Sequence, residues 1–159
     1  MSGGGTQDPG QRILLLLSTP RDADLTGELL GRNGIASHLC ADAAELHREI
    51  GRGAGAVMVS EESLAQDGAH AVLMRALEEQ PRWSDLPVLI MTRSGADSIT
   101  LGDAIRTLGN VTLLERPMRV AALVTSLRSA LRGRERQYQL RDHILQLEQA
   151  RDAEALAAR

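Results

Sequence analysis

The chain has 159 residues, 43% of them hydrophobic and 25% charged, with a formal net charge of -3, which suits one soluble domain with a real core and room for an appendage. The acidic balance argues against a protein that neutralises phosphate backbones, and two aromatics, Trp83 and Tyr138, are too few for a base-stacking platform, so no nucleic acid is expected as partner. All 18 basic residues are arginine, which excludes Schiff-base and Walker-type lysine chemistry.

Residues 1–11 are Gly-rich, polar and without apolar periodicity, and read as an unstructured leader. Fold reasoning starts at Arg12. Residues 13–17 are a continuous apolar run of strand length. The run has no basic start and falls well short of a span, so neither a membrane segment nor a secretory signal is expected and the chain reads as cytoplasmic. Thr19, Pro20 and Asp22 open a helix that carries Leu25, Leu29 and Leu30 and stops at Asn33-Gly34. Ser18-Thr19-Pro20-Arg21 contains no glycine, which argues against a phosphate loop after the first strand.

A weak strand over 36–40 holds the single cysteine, Cys40, which can form no internal disulfide, lacks ligand-spaced neighbours and reads as a core residue. Asp42 and Glu45 fit a capping box before a short helix with Leu46 and Ile50. Residues 56–59 form a third strand, apolar enough to be buried on both faces, followed by a polar loop, Ser60-Glu61-Glu62. A helix over 69–79, a strand over 88–91 closed by Thr92, a helix over 98–108 and a strand over 111–114 follow. Glu115-Arg116-Pro117 then leads into a helix whose stripe is Val120, Leu123, Val124, Leu127 and Leu131. The four histidines, His38, His47, His70 and His143, are scattered among polar neighbours and read as surface residues, leaving no metal site and no cofactor to expect.

Five strand-helix units in this order resemble the receiver domain of bacterial response regulators, an α/β fold with a doubly wound parallel sheet of flavodoxin-like order 2-1-3-4-5. Leu86 to Thr92 looks like a receiver's fourth strand with its terminal hydroxyl, and Glu115-Arg116-Pro117 resembles the Lys-Pro turn after the fifth. The resemblance covers about residues 12–131. It implies an acidic pair after the first strand, an acceptor aspartate after the third, a lysine and an aromatic switch residue. Those positions fall on Leu17 and Ser18, on Ser60, on Arg116 and on Leu113, while Thr92 alone is retained. Glu61 and Glu62 lie beside the acceptor position and could pair with Arg116. The resemblance also implies that the bond before Pro117 is a candidate cis peptide.

The domain is therefore expected over 12–132, with 133–159 as an extended helix. Leu140, Ile144 and Leu147 recur like consecutive d, a and d positions of a heptad, and Leu131, Tyr138 and Leu145 form a second seven-residue series that would widen the face. A two-fold pairing through these residues makes the chain a homodimer. Three function classes follow: a non-phosphorylatable receiver-like module of a two-component phosphorelay, not an enzyme, that regulates an attached or partner histidine kinase or effector; an atypical phosphorylatable receiver using Glu61, Glu62 or Ser60; and a flavodoxin-like ligand-binding domain or small enzyme.

Overall fold

The computed structural model describes residues 8–66, 68–93 and 99–158. The elements in chain order are β1 (Ile13–Leu16), α1 (Pro20–Arg32), β2 (Ser37–Leu39), α2 (Ala43–Arg52), β3 (Ala56–Ser60), α3 (Glu61–Ala65), α4 (Ala69–Glu78), β4 (Val88–Arg93), α5 (Ile99–Leu108), β5 (Val111–Arg116) and α6 (Val120–Ala157). The strands form one parallel sheet in the order β2-β1-β3-β4-β5, the flavodoxin-like order expected from the sequence.

Alternating side chains of the central strands feed two separate cores, as a sheet covered on both faces requires. Leu14, Leu16, Val57, Val59, Val88 and Ile90 pack with Leu46, Leu73 and Ala104 from α2, α4 and α5. Ile13, Leu15, Ala56, Met58 and Leu89 face the other way, onto Leu30 of α1 and Leu123, Val124 and Leu127 of α6. Each fully buried aliphatic side chain contributes about 1.5 to 3 kcal/mol relative to exposure.

The helix starts follow their caps. Thr19 Oγ1 accepts from the Asp22 N–H at 3.1 Å, with Pro20 at the first helical position. Asp42 accepts from the Glu45 N–H at 2.8 Å, and Glu45 reaches back to the Ala41 N–H at 2.6 Å, one residue upstream of a regular capping box. Gly34, at φ +73°, takes the left-handed turn that ends α1.

Several boundaries differ from the sequence reading. Strand β1 stops at Leu16, and β3, β4 and β5 run on to Ser60, Arg93 and Arg116 because parallel pairing extends their ladders to those residues. The stretch after β3, expected as a loop, forms the one-turn helix α3. Pro9–Gln11, assigned to the leader, form a 3-10 turn in which the Asp8 carboxylate accepts from the Gly10 N–H at 3.0 Å. Ser98, expected to start the fifth helix, lies outside the described residues.

The last helix, α6, runs unbroken for 38 residues through Gly133, although glycine in a helix interior costs about 1 kcal/mol relative to alanine. Its foot is clamped to the base of the sheet. Arg134, buried, donates from Nε to the Ala54 carbonyl at 2.9 Å and from Nη1 to Ser84 Oγ at 2.6 Å and Gln137 Oε1 at 2.7 Å. Tyr138 donates its hydroxyl to the same Ala54 carbonyl at 2.9 Å and stands 5.5 Å, centroid to centroid, from Trp83. The Arg134 guanidinium lies 4.7 Å from the Tyr138 ring centroid, and Arg141 caps both rings from outside. The tyrosine ring also sits where any side chain at position 10 would have to go, so the turn before β1 requires Gly10.

Candidate functional site

The C-terminal ends of the parallel strands are where a doubly wound sheet collects ligands and chemistry, and pairing register decides which side chains meet there. Ser60 pairs with Met91, Thr92 with Glu115, and Arg93 with Arg116. The ends of β4 and β5 are therefore level, while β3 stops two residues short of them and α3 rises directly from its end.

Ser60 is buried, and its hydroxyl both accepts and donates: it caps α3 by accepting from the Ser63 N–H at 3.1 Å and donates to Ser63 Oγ at 2.8 Å. One turn of helix then sets Glu62 facing β5. Arg116 donates from Nη2 to Glu62 Oε1 at 2.7 Å and to Oε2 at 3.0 Å, while Arg93 Nε reaches Oε1 at 3.0 Å. Burial alone would raise the Glu62 carboxyl, but its own backbone N–H and the Arg116 guanidinium outweigh burial and hold the group below its usual range. Glu61 occupies the first turn of α3 beside it. The Arg116-Pro117 peptide is cis.

Thr92 is buried at the end of β4. Leu17 is half-buried just beyond β1, and Ser18 is exposed. Leu113 pairs with Ile90, a layer below the Arg116 level, and is 43% exposed on the outer strand, so it does not join the cluster. The structure thus joins Ser60, Glu62 and Arg116, adds Arg93, and leaves Leu113 outside. Arg93 was not singled out from the sequence; its position directly after the strand-ending Thr92 was the available signal.

Among the residues of the second expected cluster, Leu131 and Tyr138 belong to the domain instead of a free face. Leu131 packs on the α1–α6 core and against Gly55, and Tyr138 is held in the clamp. The reason is that α6 still touches the base of the sheet for more than two turns past the expected boundary. Leu140, Leu145 and Leu147 are exposed, and Ile144 is half-buried.

A receiver's magnesium site needs anionic oxygens at the strand ends. Leu17, Ser18 and Ser60 supply none, and among the described residues no three His, Cys, Asp or Glu side chains gather where they could hold a metal. The residues do not fit the ion.

No protein-family model matches the chain, and no curated protein does either. Solved structures do. A sensor protein from Polaromonas sp. JS666 superposes with a TM-score of 0.61 at 27% identity, over 77% of this chain and 97% of that one. The receiver domain of the sensor histidine kinase PA1611 from Pseudomonas aeruginosa, with a magnesium ion coordinated in its active-site cleft, gives 0.62 at 22% identity, over 77% and 98%. NtrX from Brucella abortus, in complex with ADP, gives 0.66 at 21% identity over 82% of this chain, which spans only 28% of the NtrX chain. With the strand order and the helices on both faces, these likenesses establish that the chain folds as a response-regulator receiver domain.

Proposed function

We propose that the chain is a non-phosphorylatable receiver module of a two-component system, acting in the cytoplasm by protein–protein contact and by dimerisation through α6 to regulate an attached or partner histidine kinase or effector. The observation that carries this reading is the Arg116–Glu62–Arg93 ion cluster. By the resemblance, the cationic residue after the fifth strand is the one that meets a receiver's phosphoryl group. Here a carboxylate of the chain already holds that cation, and the acceptor position is a serine whose hydroxyl is spent on capping a helix. A built-in anion stands where the transient one would, and biases the strand ends toward the cation-paired arrangement. The pairing face of α6 is Leu140, Ile144 and Leu147, while Leu145 lies on the side of the helix that carries Tyr138.

Incubation with acetyl phosphate and Mg²⁺, read by intact mass, tests the reading. The expected result is an unchanged mass. A stoichiometric gain of one phosphoryl group, lost on Ser60→Ala, Glu61→Gln or Glu62→Gln, would establish the atypical phosphorylatable receiver in its place.

A further inference from the structure

Gly133 lies near the middle of α6 with helical backbone on both sides, and none of the reasons that place glycine elsewhere in this chain applies to it. It is not among the positive-φ glycines, and a methyl group added there would meet no atom within 4 Å. At Gly10 and Gly55, by contrast, an added methyl would meet the Tyr138 ring and the Leu131 side chain. Gly31 and Gly51 sit in the last turns of α1 and α2, and Gly102 in the first turn of α5, where the helical cost is smaller. Gly27, inside α1, lies against Leu39, so among the described residues Gly133 alone sits deep inside a helix at a cost that nothing in its own chain repays.

Its position on the helix surface supplies the reason. Gly133, Leu140 and Leu147 are spaced by seven residues, and Ser126 continues the series toward the domain. The line is small beside the domain and large beyond it. The clamp residues Arg134, Tyr138 and Arg141 lie roughly a third of a turn away around the helix, so the face the domain uses and the face bearing this line are different. Leu140 and Leu147 on the line are exposed.

We infer that the line is the contact between two parallel copies of α6, and that the two helices approach most closely at Gly133. The inference rests on the helix pairing proposed above and deepens it. A second copy is the occupant because parallel two-fold pairing sets each residue of the line against its own mate: glycine meets glycine, where two domains crowd the helices and only backbone fits, and leucine meets leucine where the helices run free. Interhelical distance follows the size of the contact residues, so a glycine at the domain end and leucines beyond it describe one continuous seam. Across the same pairing, His143 of one helix faces Glu148 of the other, as g and e positions do in a parallel pair.

The test uses the full chain and exploits an opposition of signs. Alanine is a better helix former than glycine, so Gly133→Ala should leave helical circular dichroism at low concentration equal or higher. If the helices cross at Gly133, the same change should raise the dimer dissociation constant at least tenfold in sedimentation equilibrium, and Gly133→Leu should abolish the dimer. Leu147→Cys should form an interchain disulfide under mild oxidation, since parallel pairing sets that residue against its mate and Cys40 is buried. A wild-type dimer that Gly133→Ala leaves unchanged or tightens would overturn the crossing while the helix pairing stands. A dimer that Leu147→Cys cannot cross-link would overturn its parallel sense. A wild-type chain that stays monomeric at high micromolar concentration would overturn the pairing and the crossing together.

Discussion

Glu62 shows how a single side chain gives the strand ends a pH-dependent stability. Because its folded-state pKa lies below the ordinary 4.5, folding favours the ionised form. That stabilisation is complete above the ordinary value and is lost as pH falls through the folded one. Glu62→Gln should therefore cost no more than about 1 kcal/mol at neutral pH, since the pair is partly exposed, and the difference from the unsubstituted chain should disappear in strong acid. Urea denaturation at both pH values measures it; a difference that persists in acid would mean the glutamine disturbs packing and not charge. Cys40 gives a second residue-scale expectation: burial first, then the neighbouring Glu45 and Glu49, push its thiol up to about 12. It should resist thiol reagents at neutral pH in the native chain and react at once in urea, and rapid native modification would place it nearer the surface than the structure does. The Arg116 pairing was legible in the sequence because β3 and β5 end on the same edge of a doubly wound sheet, so charges just past them must meet. The choice of Glu62 over Glu61 depends on the turn of α3, which no apolar period announces; its sign was the serine cap with two acidic residues after it.

At the scale of elements, the strands were readable as apolar runs between turn signals and the main helices from caps and periodic leucines. The foot of α6 was not. Arg134, Ser84, Gln137 and Asp85 bond across fifty residues of sequence or more, apart from the Arg134–Gln137 turn, and long-range polar contacts leave no local pattern. The sequence held a weak hint, since Trp83 was without an evident place and Tyr138 had one only in the second heptad series. The clamp makes a graded prediction. Arg134→Met removes the donor to Ala54, Ser84 and Gln137 and should cost about 1 to 3 kcal/mol, because buried polar partners are left unmatched. Tyr138→Phe removes one hydrogen bond of two on the Ala54 carbonyl and should cost about 1 kcal/mol or less. Thermal denaturation ranks the two, and an Arg134→Met variant as stable as the parent would show that the apolar stem carries the packing.

For the whole molecule, α6 stays tied to the domain beyond residue 132, where the sequence reading ended the domain. Hydrogen bonds and ring contacts tie α6 to the domain as far as Arg141. A chain ending at Asp142 should keep a cooperative melt and sediment as a monomer at tens of micromolar, because it retains the clamp and loses Ile144 and Leu147. A chain ending at Arg132 should melt earlier, because it loses Arg134 and Tyr138 as well. A monomer–dimer equilibrium that survived the later truncation would move the interface onto the globular domain.

The clamp also decides what light can report. Trp83 and Tyr138 are the chain's whole complement of aromatic residues, and they stand 5.5 Å apart at the foot of α6. Intrinsic emission and near-ultraviolet absorption therefore come from that one place. An event at the strand ends will be dark unless it propagates through the sheet to the helix, and a change in emission on adding a partner would mark the arrival of a signal at the root of α6.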